Sequence, residues 1–192
     1  MIVLKIGGSL HGSEYLSQWI DQLAAVKHQK IIIVPGGGPF ANHVRKIEQE
    51  AHLSLERSHD MAVMAMQQFG KLLHEMNTSL SLLNNLYDIN SYEDGCKIWD
   101  PYEMVIKNCP YPKNWQTTSD SLAAWLAMQT EASHLCLIKS GKVNRSTIKN
   151  LQSDLVDNYL PTALNNFQGK LHFYHASEAS IFDQHLLNDQ LN

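Results

Sequence analysis

Two apolar runs that each stop at a glycine cluster constrain this chain more than any other feature. The first is Ile2-Val3-Leu4-Lys5-Ile6-Gly7-Gly8-Ser9, and the second is Ile31-Ile32-Ile33-Val34-Pro35-Gly36-Gly37-Gly38-Pro39. Short β-branched runs without alternation are the pattern of strands buried on both faces, which means a parallel sheet covered by helices. A buried strand that ends in a glycine turn and enters a helix leaves free N–H groups and a positive helix end facing one space. Glycine lets an anion approach the backbone, and Lys5 adds a cation just before the first turn. The pattern predicts a site that handles phosphate.

Composition narrows the alternatives. With 192 residues the chain is long enough for one well-buried domain and too short for two ordinary ones. A formal charge of -4 gives no basic surface for nucleic acid. Cys96, Cys109 and Cys136 are far apart and form no CxxC pair, so they read as reduced thiols without a disulfide or zinc framework. His172 and His175 lack the i, i+4 spacing of a helical metal pair, and no metal ligands are assigned. Met1 leads straight into a short apolar run, and no stretch approaches a membrane span. The expectation is a cytoplasmic protein with neither signal peptide nor membrane partner.

Strands are expected near Ile2–Ile6, Lys30–Val34, Lys97–Trp99, Leu135–Lys139 and Lys170–His175, and helices over Ser13–Lys27, Phe40–Ala51 and Leu55–Met76. Met61 and Met66 of the third helix read as core filler. That helix also carries apolar residues on more than one face, which suit either a core or a partner. Asn84–Gly95 and Asn108–Gln116 read as irregular connections. In Trp115-Gln116-Thr117-Thr118-Ser119-Asp120-Ser121-Leu122-Ala123-Ala124, hydroxyl residues crowd the start of an alanine-rich helix. Thr118 or Ser119 suits a cap, with Asp120 complementing the dipole. The other reading is that Asp120 stands beside the glycine loops and either holds Lys5 or helps to place a metal-bound nucleotide.

Together the three segments resemble the amino acid kinase family. The order carries the resemblance: a strand ending Lys5/Gly7/Gly8/Ser9, a strand ending Gly36/Gly37/Gly38, and a later helix with Asp120/Ala123/Ala127. Locally, Pro35 to Arg45, Ser58 to Met66 and Trp115 to Ser121 are similar to the small branch of that family acting on aminomethylfuran-methyl phosphate in methanofuran biosynthesis. The resemblance implies a three-layer α/β/α sandwich with a mainly parallel sheet. It implies a single domain over 1–192, with an acceptor side over roughly 1–115 and a shortened nucleotide side over roughly 116–192. It also implies ATP with Mg2+ as donor, a small phosphorylated acceptor that becomes a diphosphate, and a homo-oligomer, with a dimer expected.

In that frame Lys5 and Asp120 are the catalytic residues, Asp120 orienting the lysine. Gly7, Gly8, Ser9, Lys139, Gly141 and Lys142 would face the nucleotide. Gly36, Gly37, Gly38, Arg45 and His59 would meet the acceptor, with His43 a further candidate. A solvated role for Arg45 and a buried carbonyl partner for His59 are the plainer readings. Many relatives carry an acidic turn after the fifth strand, where this chain has Leu137-Ile138-Lys139-Ser140-Gly141-Lys142-Val143-Asn144. That difference leaves a second reading open: a kinase-fold binding or structural subunit without turnover.

Overall fold

The computed structural model describes residues 1–141 and 155–182. Its strands are β1 (Ile2–Ile6), β2 (Lys30–Pro35), β3 (Leu82–Leu83), β4 (Gly95–Trp99), β5 (His134–Lys139) and β6 (Lys170–His175), in sheet order β3-β4-β2-β1-β5-β6. Every pairing is parallel, so the expected mainly parallel sheet is parallel throughout the described residues. Strand order runs outward from β1 in one direction through β2 and in the other through β5. The carboxyl ends at β1 therefore form a topological switch point, where an open α/β sheet leaves a crevice.

The main helices are α1 (Glu14–Ala25), α2 (Gly38–Ala51), α3 (Leu55–Met76), α4 (Leu86–Ser91), α5 (Tyr102–Asn108) and α6 (Ser119–Gln129). Side-chain alternation along each strand divides the interior between two cores. Ile2, Leu4, Ile6, Ile31, Ile33, Cys136 and Ile138 join one core with Leu16, Trp19, Ile20 and Leu23 of α1. Val3, Ile32, Val34, Leu135 and Leu137 join the other with the buried residues of α6. Two helix-covered faces around one sheet make the three-layer arrangement expected from the sequence.

α6 is buried on nearly every side from Ser119 to Ala127, which is why its sequence is alanine-rich and carries no polar stripe. α3 begins at Ser54, whose hydroxyl accepts from the Arg57 amide at 3.3 Å. It places Val63 and Met66 in one core and Phe69 and Leu73 in the other, so this single helix ties both faces together. Met66 is the core filler expected of it, whereas Met64 is 43% exposed.

The Asn84–Gly95 connection contains α4, contrary to the loop expectation. The Asn85 side chain caps this short helix by accepting from the Asp88 amide at 2.9 Å. β3, α5 and the short helix Leu160–Ala163 are likewise additional to the expected elements. Among the described residues, no helix is long and apolar enough to cross a membrane.

Candidate active site

β1 and β2 lie side by side with Lys5 opposite Val34 and Ile6 opposite Pro35, so both glycine turns leave the sheet at the same level. Their backbones then touch. A Cβ on Gly8 would stand 2.2 Å from the Gly38 nitrogen, and a Cβ on Gly36 would stand 2.4 Å from the Gly8 nitrogen. Gly38 adopts φ +55, a left-handed backbone that L side chains rarely take, and it opens α2. The amides of the first turn of α2 therefore face the crevice, as a phosphate cradle requires.

Lys5 and Lys139 belong to the sheet face covered by α6. β1 and β5 are neighbours with Lys5 opposite Leu137, so Lys139 lies two residues beyond that pair on the same face. Asp120, in the first turn of α6, sits between the two lysines. Its Oδ1 is 2.8 Å from the Lys5 ammonium, and its Oδ2 accepts a short bond from Lys139. All three groups are buried, at 6% exposure for Lys5, 3% for Asp120 and 8% for Lys139. One carboxylate thus holds two cations and leaves the trio with net positive charge.

The electrostatics follow from this sharing. Burial alone would raise the Asp120 carboxyl, but the Lys5 and Lys139 charges outweigh it and hold the group down at about 2. For Lys139, burial and then the Lys5 charge push the ammonium down to about 8, against the opposing pull of Asp120 and Asp157.

A second carboxylate fixes the helix that carries Asp120. Asp157 accepts from the Thr118 amide at 2.9 Å, the Thr118 hydroxyl at 2.8 Å and the Ser121 amide at 3.0 Å, and it takes a short bond from the Ser121 hydroxyl. Its other contact is the Leu160 amide at 2.8 Å. Thr118 occupies the cap position, yet its side chain makes no capping bond to the helix, and Asp157 performs that task from a distance in sequence. The expected cap by Thr118 or Ser119 is corrected accordingly. Nothing in the local sequence around Asp157 announces this role.

Above the lysine pair opens a cleft of about 390 Å³. Its walls include Lys5, Gly7, Gly8 and Ser9 from the first turn, Gly37, Gly38 and Arg45 from the second turn and α2, His59 from α3, and Lys139 and Gly141 from the end of β5. Most residues singled out in the sequence are thereby brought together. Asp120 lies beneath the lining. Gly36 also does not line the cleft: it packs on Gly8 and donates its amide to the Ile6 carbonyl at 2.9 Å. Lys142 lies outside the described residues. His43 is exposed and does not line the cleft.

Arg45 stacks its guanidinium 4.2 Å from the centre of the Trp115 ring and donates to the Asn42 side chain at 3.2 Å. Trp115 in turn donates its indole N–H to Glu48. The arginine is therefore held against an aromatic wall, although its surface is exposed. His59 is 6% exposed, and neither ring nitrogen has a hydrogen-bond partner among the described residues, so the expected carbonyl contact is not made there. Ser9 and Ser140 join hydroxyls across the cleft mouth at 2.8 Å. Among the described residues no carboxylate lines the cleft, whereas Lys5, Arg45 and Lys139 do. Such a cavity suits a multiply charged anion.

Comparison with known proteins agrees with the geometry. Residues 1–83 match the model of the Amino acid kinase family. The (5-(aminomethyl)furan-3-yl)methyl phosphate kinase of Methanocaldococcus jannaschii is 28% identical over 185 residues, covering 88% of this chain and 84% of that protein. The crystal structure of UMP kinase from Ureaplasma parvum superposes with a TM-score of 0.63 at 16% identity, over 91% of this chain and 89% of that one. An isopentenyl phosphate kinase structure gives 0.56 at 12% identity, over 98% and 96%. These similarities bear out the amino acid kinase resemblance and the α/β/α fold read from the motifs.

Proposed function

We propose that this chain is an ATP-dependent small-molecule kinase whose acceptor is itself a phosphate monoester, converted to a diphosphate. The observation that carries the reading is the buried Lys5–Asp120–Lys139 trio beneath the paired glycine turns, on a cleft with no acidic lining among the described residues. Phosphoryl transfer spreads negative charge over the oxygens of the moving group, so catalysis is mainly positioning and electrostatic stabilisation. Lys5 and Lys139 supply positive charge that Asp120 holds in place before any ligand arrives. The amides of the two glycine turns supply directed donors. ATP would provide the transferable phosphoryl group and the larger share of the charge that the cleft neutralises.

A phosphate monoester has its second ionisation near about pH 6, so it is a nucleophile at neutral pH and needs no strong general base. Among the described residues, no cluster of three or more His, Cys, Asp or Glu groups is arranged to hold a metal. Magnesium would therefore be carried mainly by the nucleotide phosphates, as this ion commonly is. The M. jannaschii relative is named for a phosphate monoester acceptor, and the isopentenyl phosphate kinase for another, which supports the same acceptor class here.

The binding-only alternative rests on the missing acids after β5. Lys139, the last residue of β5, still brings a cation to the cleft, which favours phosphate contact without deciding turnover. A thermal-denaturation titration with magnesium-ATP separates ligand binding from its absence, since a ligand of the native state raises its midpoint. A rise that saturates with nucleotide supports the kinase reading; an unchanged midpoint at millimolar nucleotide excludes it.

A further inference from the structure

We propose that Asp157 is a positioning residue for phosphoryl transfer: it grips the first turn of α6 on both sides of Asp120 and so fixes where that carboxylate stands between Lys5 and Lys139. The inference rests on the kinase reading and deepens it. Asp157 does not itself line the cleft, so it acts through Asp120. α6 starts at Ser119 after its cap residue Thr118, which places Asp120 at the second helical position and Ser121 at the third. Asp157 Oδ2 accepts from the Thr118 amide, the Thr118 hydroxyl and the Ser121 amide at 2.9, 2.8 and 3.0 Å. Its Oδ1 accepts from the Ser121 hydroxyl and from the Leu160 amide. A slide or rotation of this turn that carried Asp120 away from Lys5 would break several of these bonds together.

This is more than a helix cap needs. The caps of α3 and α4, Ser54 and Asn85, each accept one amide from three residues further on in their own helix. The α6 cap comes from 39 and 36 residues along the chain and also takes both hydroxyls. Its own segment is anchored, because the Tyr159 amide donates to the Gln116 carbonyl at 3.1 Å and the Tyr159 ring stands 4.9 Å from the Tyr111 ring. A charged group placed by such a support stays where the reaction needs it, and misplacement by about 1 Å can cost about a hundred-fold in rate. Asp157 also contributes charge. Burial and then the Lys5 charge lower the Lys139 ammonium, while Asp120 and Asp157 oppose them. The charged groups acting on Lys139 are thus Lys5 from β1, Asp120 from α6 and Asp157.

Asp157→Asn is nearly isosteric, yet it removes the charge and points an amide NH2 at one of the backbone donors in either orientation. The test compares it with the wild type and with Asn85→Ala, which removes the cap of α4 and does not line the cleft. Rates are measured with magnesium-ATP and whichever of (5-(aminomethyl)furan-3-yl)methyl phosphate, uridine monophosphate and isopentenyl phosphate the wild type turns over fastest. Carbon NMR of ε-labelled lysine, with the Lys139 signal assigned by its loss in Lys139→Arg, follows that ammonium without any ligand. Asp157→Asn should lose roughly ten- to a hundred-fold in kcat with both KM values within about two-fold. Lys139 should titrate below its wild-type value of about 8, and the falling limb of kcat against pH should move to lower pH with it. Asn85→Ala should lower the melting point and leave kcat and the Lys139 titration unchanged.

A Lys139 midpoint that does not move in Asp157→Asn overturns the proposal, as does an unchanged kcat or a kcat loss matched by Asn85→Ala. Where Asp157→Asn does not fold, Asp157→Glu carries the test. It keeps the charge and displaces the oxygens by one methylene, so kcat should fall while Lys139 keeps its wild-type midpoint; an unchanged kcat overturns the proposal. A wild type that turns over none of the three esters counts against the kinase reading, and the ligand-free Lys139 titration then decides the role of Asp157 by itself.

Discussion

Replacing Asp120 by Asn leaves Lys5 and Lys139 facing each other in the interior with no counter-charge. Both ion pairs of the carboxylate disappear, the 2.8 Å bond to Lys5 and the short bond to Lys139. Neither lysine can swing into solvent easily, since their exposures are 6% and 8%. Removing one partner of a buried pair costs about 3–5 kcal/mol, because the remaining charge stays desolvated. For a chain of this size that is a fall of roughly 6–20 °C in melting temperature, at about 2–4 °C per kcal/mol.

The deficit should also depend on pH with a defined sign. In the wild type Lys139 titrates at about 8, below its ordinary 10.5, and Asp120 opposes that lowering. Without the carboxylate the Lys139 value drops further, so the folded variant sheds a proton that the folded wild type keeps. The unfolded chains bind protons alike near neutral pH. Stability of the variant therefore rises relative to the wild type as pH increases from neutrality towards about 8, and the gap narrows. Urea denaturation of both proteins across this range measures the gap directly. A loss below about 1 kcal/mol at pH 7, or a gap that widens with pH, would refute the shared-carboxylate reasoning.

Two further substitutions probe the supports of the site. Gly8→Ala places a methyl 2.2 Å from a backbone nitrogen of the neighbouring turn, so the loops must part. The expected cost is about 1–3 kcal/mol together with weakened inorganic phosphate binding, and unchanged melting and binding would show that the turns do not touch in solution. Asp157→Ala removes the acceptor for Thr118 and Ser121 at the start of α6 and for Leu160 at the start of the short helix Leu160–Ala163. Thermal denaturation should record a loss of about 2 kcal/mol, the upper end for a helix cap, and a loss under about 0.5 kcal/mol would deny it that role.

The legible parts of this fold were those whose local sequence and tertiary setting agree. β1 runs over the residues expected, because a buried parallel strand is a near-continuous apolar run bounded by turn signals, and the edge strand β6 also keeps its expected bounds. α3 also spans Leu55–Met76 as expected, since its Ser54 cap and long periodicity act locally. α4 and α5, of 6 and 7 residues, are too short to show a periodic face, although the Asn85 to Asp88 capping signal was present.

In the site, the Lys5 to Asp120 contact was one of the readings that the segment around Asp120 left open, and the structure places it at 2.8 Å. The second lysine on the same carboxylate was not legible as such. It depends on β5 lying beside β1 in a register that puts Leu137 opposite Lys5, which no local pattern encodes. Asp157 was missed for the same reason, being separated by 39 residues from the Thr118 it binds. Gly36 was read as a ligand cradle, but its close approach serves the contact between the turns.

In the proposed reaction the Lys5–Asp120–Lys139 trio stabilises transfer of a phosphoryl group from ATP to a phosphate monoester. Phosphorus NMR of the wild type and Lys5→Met with magnesium-ATP and a panel of phosphate monoesters tests it most directly. The wild type should produce coupled diphosphate resonances from one ester with ADP in equal amount. Lys5→Met should remain folded and lose at least about a hundred-fold in rate, the scale seen when a group that stabilises developing charge is removed. Diphosphate formation that survives in Lys5→Met, or a wild type that binds nucleotide and yields no diphosphate from any ester, would contradict the account.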